Sequence, residues 1–169
     1  ISLSLYPELD PFYQKLSDWL NLSTNQIYVT EGVSGAIKSL METITSPGDN
    51  VVCPTPTFAL YPVYSQMFQL EHRTVGYTDD YQLHLERLLE LIDDQTSIVF
   101  LPNPNMPISG TVKLKQIATI AENCEKHNAY LAIDEVYYPF GGPTAIGLIR
   151  EYNNLFIMRS FSKAFGLAG

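Results

Sequence analysis

Two stretches of the chain are apolar without alternation, Ile98-Val99-Phe100-Leu101 and Tyr130-Leu131-Ala132-Ile133. A strand with one wet face alternates apolar and polar residues, whereas a strand covered on both faces is apolar throughout. Between these two runs, over residues 113–126, the apolar spacing lengthens to that of a helix. Strands joined through helices pair in parallel, because a parallel crossover needs a dozen or more residues. The expected fold is therefore α/β: a three-layer αβα sandwich around a mostly parallel sheet.

Helical periodicity also covers 8–20, where Phe12, Leu16, Trp19 and Leu20 share a face, and 34–45, through Ile37, Leu40, Met41 and Ile44. Further helices are expected over 58–69, which is rich in aromatics, and 84–92. Strands are expected at 26–29, 50–53, 71–75, 97–101, 129–133 and 155–159. Ser46-Pro47-Gly48-Asp49 closes a helix, and Gly141-Gly142-Pro143 breaks the chain before a short helical piece. No repeat, low-complexity tract or linker divides the 169 residues, so they are expected to form one domain with its own core.

Hydrophobic residues make up 46% and charged residues 17%, the balance of a folded chain. A formal net charge of -8 argues against nucleic acid as a partner, since phosphate neutralisation needs a basic surface. It leaves room for a small anion held by backbone N–H groups. Cys53 and Cys124 are far apart and show no metal-ligand spacing, so no metal is expected and both thiols should be buried in a reducing compartment. No apolar run reaches the roughly 18 residues of a membrane span. With no basic-then-apolar leader, a cytoplasmic protein is expected. The chain starts at Ile1 and stops directly after a motif, which is the expectation for a piece of a longer protein.

Ligands of parallel sheets sit beyond the carboxyl ends of the strands, and five polar clusters fall there. Lys163 follows a strand within Ser160-Phe161-Ser162-Lys163-Ala164-Phe165-Gly166, and a lysine amine forms Schiff bases with carbonyl groups. Asp134-Glu135-Val136-Tyr137 places a carboxylate at the end of a buried run, where it needs a partner such as a protonated pyridine nitrogen. Asn103-Pro104-Asn105-Met106-Pro107-Ile108-Ser109-Gly110 can hold an amide toward a ligand oxygen. Thr30-Glu31-Gly32-Val33-Ser34-Gly35 opens a helix with small residues and can grip a phosphate, though it lacks the Gly-Lys-Ser/Thr ending of a P-loop. Phe58, after Pro54-Thr55-Pro56-Thr57, offers a flat ring for stacking. Each cluster alone has an ordinary structural explanation, as a surface lysine, a helix cap, a loop or a core aromatic.

In this order, the five resemble the fold-type I pyridoxal-phosphate (PLP) enzymes of the class I/II aminotransferase family, from Tyr6-Pro7 to Gly169. Within it, Asp134-Glu135-Val136-Tyr137 and Gly166-Leu167-Ala168-Gly169 are most similar to the histidinol-phosphate aminotransferases and close relatives. The resemblance implies the large PLP-binding domain over 1–169, lacking the N-terminal arm and the C-terminal small domain. It implies PLP as cofactor, Lys163 as the Schiff-base lysine and proton carrier, and Asp134 on the pyridine nitrogen. It assigns Tyr137 and Asn105 to the phenolic oxygen and Phe58 to the ring face. Gly32, Val33, Ser34, Ser160 and Ser162 would form the phosphate cup, with Tyr6 reaching in from the partner subunit of a homodimer.

The activity implied is transfer of an amino group between an amino acid or amine, such as histidinol phosphate, and a 2-oxo acid. The same motifs suit a PLP decarboxylase or lyase similar to threonine-phosphate decarboxylases, because they hold the cofactor without choosing which bond breaks. A non-catalytic binding module that kept the fold is the third reading, and Lys163, Asp134 and Tyr137 together argue against it. Two places depart from the family pattern. Met106 stands where a second asparagine is usual, with an extra residue before Gly110, and Gly35 replaces a common acidic residue. An additional phosphate-binding arginine and a substrate-carboxylate arginine are expected beyond Gly169.

Overall fold

The apolar runs become neighbouring strands of one sheet. The computed structural model describes residues 6–167, and the chain divides after Thr30 into two units. The first contains helix α1 (Asp10–Leu20), which carries proline in its first turn, where no backbone donor is lost. It ends at Asn21, whose left-handed φ of 53° lets its N–H reach the Ser17 carbonyl. A single 3-10 turn, Thr24–Gln26, follows, with Ser23 and Gln26 bonded reciprocally as a capping box. The strand expected at 26–29 does not form. Ile27 has extended angles, φ -117° and ψ 132°, but no strand among the described residues pairs with this segment. Extended backbone becomes a strand only when a neighbour takes its hydrogen bonds.

The second unit runs α2 (Gly32–Ile44), β1 (Asn50–Pro54), α3 (Leu60–Met67), β2 (Glu71–Val75), α4 (Leu85–Glu90), β3 (Thr96–Pro102), α5 (Leu114–Lys126), β4 (Tyr130–Asp134) and β5 (Leu155–Met158). The helical piece after Gly141-Gly142-Pro143 is a 3-10 turn, Ile146–Arg150, and another, Tyr138–Phe140, precedes it. All strand pairs are parallel, in the order β2-β1-β3-β4-β5.

Successive strand residues feed two separate cores, one on each face of the sheet. Ile98 and Phe100 of β3, with Cys53 and Ala132, pack with Ile37 and Met41 of α2 and Tyr61 of α3. Val99 and Leu101, with Leu131 and Ile133, pack with Leu88 of α4 and Ile117 and Ile120 of α5. This is the expected three-layer arrangement, and it explains why the runs do not alternate: both faces are covered. Cys53 and Cys124 are buried free thiols. Among the described residues, no helix is long and apolar enough to cross a membrane.

The two ends of the sheet differ. At the amino end, buried Asn50 donates to Asp93 Oδ1 (3.0 Å) and accepts from Thr96 Oγ1 (2.7 Å), so the polar groups there satisfy one another. At the carboxyl end, register aligns Pro102 with Asp134 and Asp134 with Met158. The chain reverses direction across the sheet between β1 and β3, which makes this edge a topological switch point where a crevice opens.

Leu131 is fully buried at the centre of one core. Leu131→Ala in the full-length protein is expected to cost about 2–5 kcal/mol of unfolding free energy, read from denaturant midpoints. A loss below about 1 kcal/mol would show that this strand is not covered as described.

Candidate functional site

Every candidate residue beyond Thr30 lines one cavity of about 390 Å³ at the carboxyl ends of the strands. That volume lies within the range of small-molecule pockets, roughly 300–1,000 Å³. Tyr6 belongs to the amino-terminal unit and is almost wholly exposed, at 99%.

Asp134, the last residue of β4, is 3% exposed and forms part of the wall. Its Oδ1 accepts the Val136 N–H at 3.0 Å, and its Oδ2 accepts the Tyr61 hydroxyl at 3.0 Å. Among the described residues no cation pairs with it. Burial pushes its pKa up to about 6, and the neighbouring Glu135 charge adds a smaller rise. The bonds from Val136 and Tyr61 pull the other way. Here a carboxylate is held out of water, with two neutral donors and no opposite charge.

Tyr61 went unnoticed in the sequence. It lies three residues beyond Phe58 in the expected aromatic helix, fully buried, with its ring 5.1 Å from Phe100 and edge-on to Phe58 at 6.2 Å. Burial and the nearby Asp134 charge raise its pKa well above the tyrosine range, so it remains a donor. Phe58 itself is 44% exposed and lies in the cavity wall, where a ring face is available.

Facing these groups is a cluster of hydroxyls and a helix start. Gly32 opens α2 with φ +66°, and a Cβ there would lie 3.6 Å from Ser160 Oγ and 3.8 Å from Ser162 Oγ. The two serine hydroxyls bond one another at 2.7 Å, and the Ser162 N–H donates to Ser160 Oγ at 3.0 Å. First-turn N–H groups of a helix lack intrahelical acceptors, and no side chain caps this one at Glu31. Gly32, Val33, Ser34, Ser160 and Ser162 thus line the cavity together, a helix start and two hydroxyls of the kind that could hold an anion.

Lys163 sits in the turn after β5, exposed, with Nζ 5.6 Å from the centroid of the half-buried Tyr137 ring. Both line the cavity with Asp134, so an amine, a phenol and a carboxylate share one space.

Asn105 lines the cavity, as expected for an amide held near a ligand, and its amide is already engaged by protein partners. It is 1% exposed, and its Nδ2 donates to the Pro56 carbonyl at 2.9 Å and to the Tyr77 hydroxyl at 2.6 Å. Its Oδ1 accepts from Thr57 Oγ1 at 2.7 Å. Turning the amide toward a ligand oxygen would break one of these bonds. Met106, 43% exposed, contributes a thioether to the wall. The loop is closed at its base by Asn103, which bonds both the N–H and the carbonyl of Val112. Among the described residues, no group of three or more His, Cys, Asp or Glu side chains is placed to hold a metal ion.

Comparison with known proteins gives a consistent result. The sequence profile described as aminotransferase class I and II matches residues 2–169. The histidinol-phosphate aminotransferase of Thermoanaerobacter pseudethanolicus is 34% identical across 99% of the chain and 48% of its own length. That of Methanosarcina barkeri is 32% identical across 98% and 45%. The chain therefore spans about half the length of the curated relatives it matches. Among solved structures, histidinol-phosphate aminotransferase from Sinorhizobium meliloti in complex with pyridoxal-5'-phosphate superposes with a TM-score of 0.84 at 25% identity. It covers 94% of this chain and 44% of its own. Cystalysin from Treponema denticola, which contains the same cofactor, shares the fold with a TM-score of 0.87 at 19% identity, over 100% of this chain and 47% of its own. The match over nearly all residues establishes that the chain belongs to the class I and II aminotransferase family.

Proposed function

We propose that the protein containing this chain is a PLP-dependent aminotransferase, exchanging an amino group between a histidinol-phosphate-like amine or amino acid and a 2-oxo acid. The observation that carries the proposal is the buried Asp134 carboxylate without a cation, in a cavity shared with Lys163. The cofactor supplies what each part of the cavity lacks. Its ring nitrogen, when protonated, gives Asp134 an opposite charge. Its phosphate suits the hydroxyls of Ser160 and Ser162 and the start of α2, with Gly32, Val33 and Ser34. Its aldehyde suits the amine of Lys163.

When bound, PLP supplies an electron sink for the pair left as a bond to the substrate α-carbon breaks. The chain's own residues do the rest. Lys163 Nζ would be the amine that holds the cofactor by its carbonyl carbon and, when free of it, the base that carries the α-proton. Asp134, braced by Tyr61 and Val136, keeps the ring nitrogen protonated. Tyr137 offers its hydroxyl to the phenolic oxygen, and Phe58 covers a ring face. Asn105, its amide engaged by Pro56, Tyr77 and Thr57, holds the wall in shape. The names of the relatives support histidinol phosphate as donor. Pairing as a homodimer, with the exposed Tyr6 reaching the partner's phosphate site, and a cytoplasmic location complete the proposal.

In the full-length protein, borohydride reduction with PLP should fix the cofactor to the Lys163 peptide, read by mass spectrometry, and Lys163→Ala should abolish the adduct. An adduct retained in that variant would overturn the assignment. Asp134→Asn should lower kcat/KM about a hundredfold or more, with 2-oxo acid and amine products measured together. Release of carbon dioxide without a 2-oxo acid would instead mark a decarboxylase.

The pKa of Asp134 also fixes a sign. Without cofactor its folded pKa, about 6, exceeds its ordinary value of 3.8. Between these limits the folded state binds the proton and the unfolded state does not, so stability falls as pH rises from 4 to 6. The loss attributable to Asp134 approaches about 3 kcal/mol. Urea midpoints of the cofactor-free protein should show this slope, and Asp134→Asn should remove it. Equal slopes in the two proteins would contradict the burial-driven shift.

A further inference from the structure

Glu135 is fully buried, and its counter-charge is Arg159, the residue that follows β5. Arg159 donates from Nε at 3.0 Å and from Nη2 at 2.9 Å to Glu135 Oε2, so two N–H groups grip one oxygen. Thr144 Oγ1 donates to that oxygen at 2.9 Å, and the Ala145 N–H donates to Oε1 at 2.6 Å. Arg159 is restrained in turn. Its Nη2 also donates to Thr144 Oγ1 at 2.6 Å, and its guanidinium carbon lies 4.0 Å from the centroid of the Tyr138 ring.

Neither Glu135 nor Arg159 lines the cavity, yet each adjoins a residue that does. Glu135 follows Asp134, and Arg159 precedes Ser160. The pair bridges β4 and β5 at the point where their ladder ends, with the Glu135 N–H donating to the Met158 carbonyl at 2.8 Å. As a source of stability such a pair is poor, because desolvation of two charges offsets their attraction and apolar side chains would join the strands as well. Its distinctive property is direction: several hydrogen bonds fix one guanidinium in one orientation.

We propose that the Glu135–Arg159 pair, locked by Thr144 and Tyr138, is a positioning device that sets the separation between Asp134 and the Ser160–Lys163 turn. Asp134 serves the ring end of the cofactor and the turn serves its phosphate and carbonyl, so the pair governs how the ring is held. This rests on the PLP assignment above. A site must hold its groups within about 0.5 Å of the productive geometry, and the two strand ends carrying these groups have no further ladder bond beyond Glu135 to hold them in step.

Arg159→Lys keeps the charge and loses the two-point grip and the planar stack. Full-length wild type, Arg159→Lys and the milder Thr144→Val are compared by equilibrium PLP binding, by visible circular dichroism of the bound cofactor, and by thermal unfolding. Arg159→Lys is expected to raise the PLP dissociation constant about tenfold to a hundredfold and to weaken the visible dichroic band. Thr144→Val should shift both in the same direction by less. If Arg159→Lys does not fold, Thr144→Val decides by the same two readouts. Folded variants with lower melting temperatures but wild-type affinity and dichroism would reduce the pair to a structural tie and overturn the inference. Failure of the wild type to take up PLP would overturn the cofactor assignment itself, which the variants alone cannot do.

Discussion

A strand covered on both faces has no place along its length for a side chain that needs water or a counter-charge. Between their ends β3 and β4 carry only apolar residues, Ile98–Leu101 and Leu131–Ile133, and the buried polar groups, Thr96 and Asp134, lie at strand ends. At the carboxyl edge, parallel register then brings them level. Pro102, Asp134 and Met158 align across β3, β4 and β5, and the next residues, Asn103, Glu135 and Arg159, are all polar. Each of those three is engaged in hydrogen bonds that tie a loop or a strand end. Asp134 differs from them in charge balance: it accepts from Tyr61 and Val136, no cation among the described residues pairs with it, and burial raises its pKa. The cavity, the lysine turn and the hydroxyl cup are arranged around that unbalanced group.

The fold was legible because covered strands leave an unmistakable trace, as in Ile98–Leu101, and the helical segments between them supply the parallel crossovers. The site was legible as an ordered set of strand-end clusters, none decisive alone. Tyr61 was not. A tyrosine in an aromatic helix looks like ordinary core, and only the folded sheet brings its hydroxyl to a carboxylate 73 residues away. Asn105 was half legible: its place in the wall follows from the loop, but its partners Pro56, Thr57 and Tyr77 come from other segments. Residues 26–29 show the opposite failure. Their composition suits an extended backbone, yet ladder formation depends on a neighbour that local sequence does not contain.

The loop from Asn103 to Gly110 is one of the two places that depart from the pattern the resemblance implies, and the structure gives the departure a shape. Asn103 fastens the loop base to Val112, Asn105 in the cavity wall is bonded to Pro56, Thr57 and Tyr77, and Ser109 takes a left-handed φ of 58° beside Gly110. Met106 then presents sulfur and methyl at the wall, with Ser109 Oγ 3.6 Å from its sulfur. On this side the cavity is softer and less polar than an asparagine would make it.

The cavity draws on the chain from Glu31 to Lys163, with residues from the start of α2 and from the carboxyl ends of β1, β3, β4 and β5 or the turns after them. No hairpin or single crossover contains a working subset of it. A ligand lodged there is therefore bound at the ends of β1, β3, β4 and β5, and any excursion that detaches one of these four also dismantles the binding surface. Binding and cooperative folding become one thermodynamic event, in which ligand occupancy adds RT ln(1 + [L]/Kd) to the stability of every element at once. For a protein built this way, cofactor supply acts as a lever on how long the folded molecule persists.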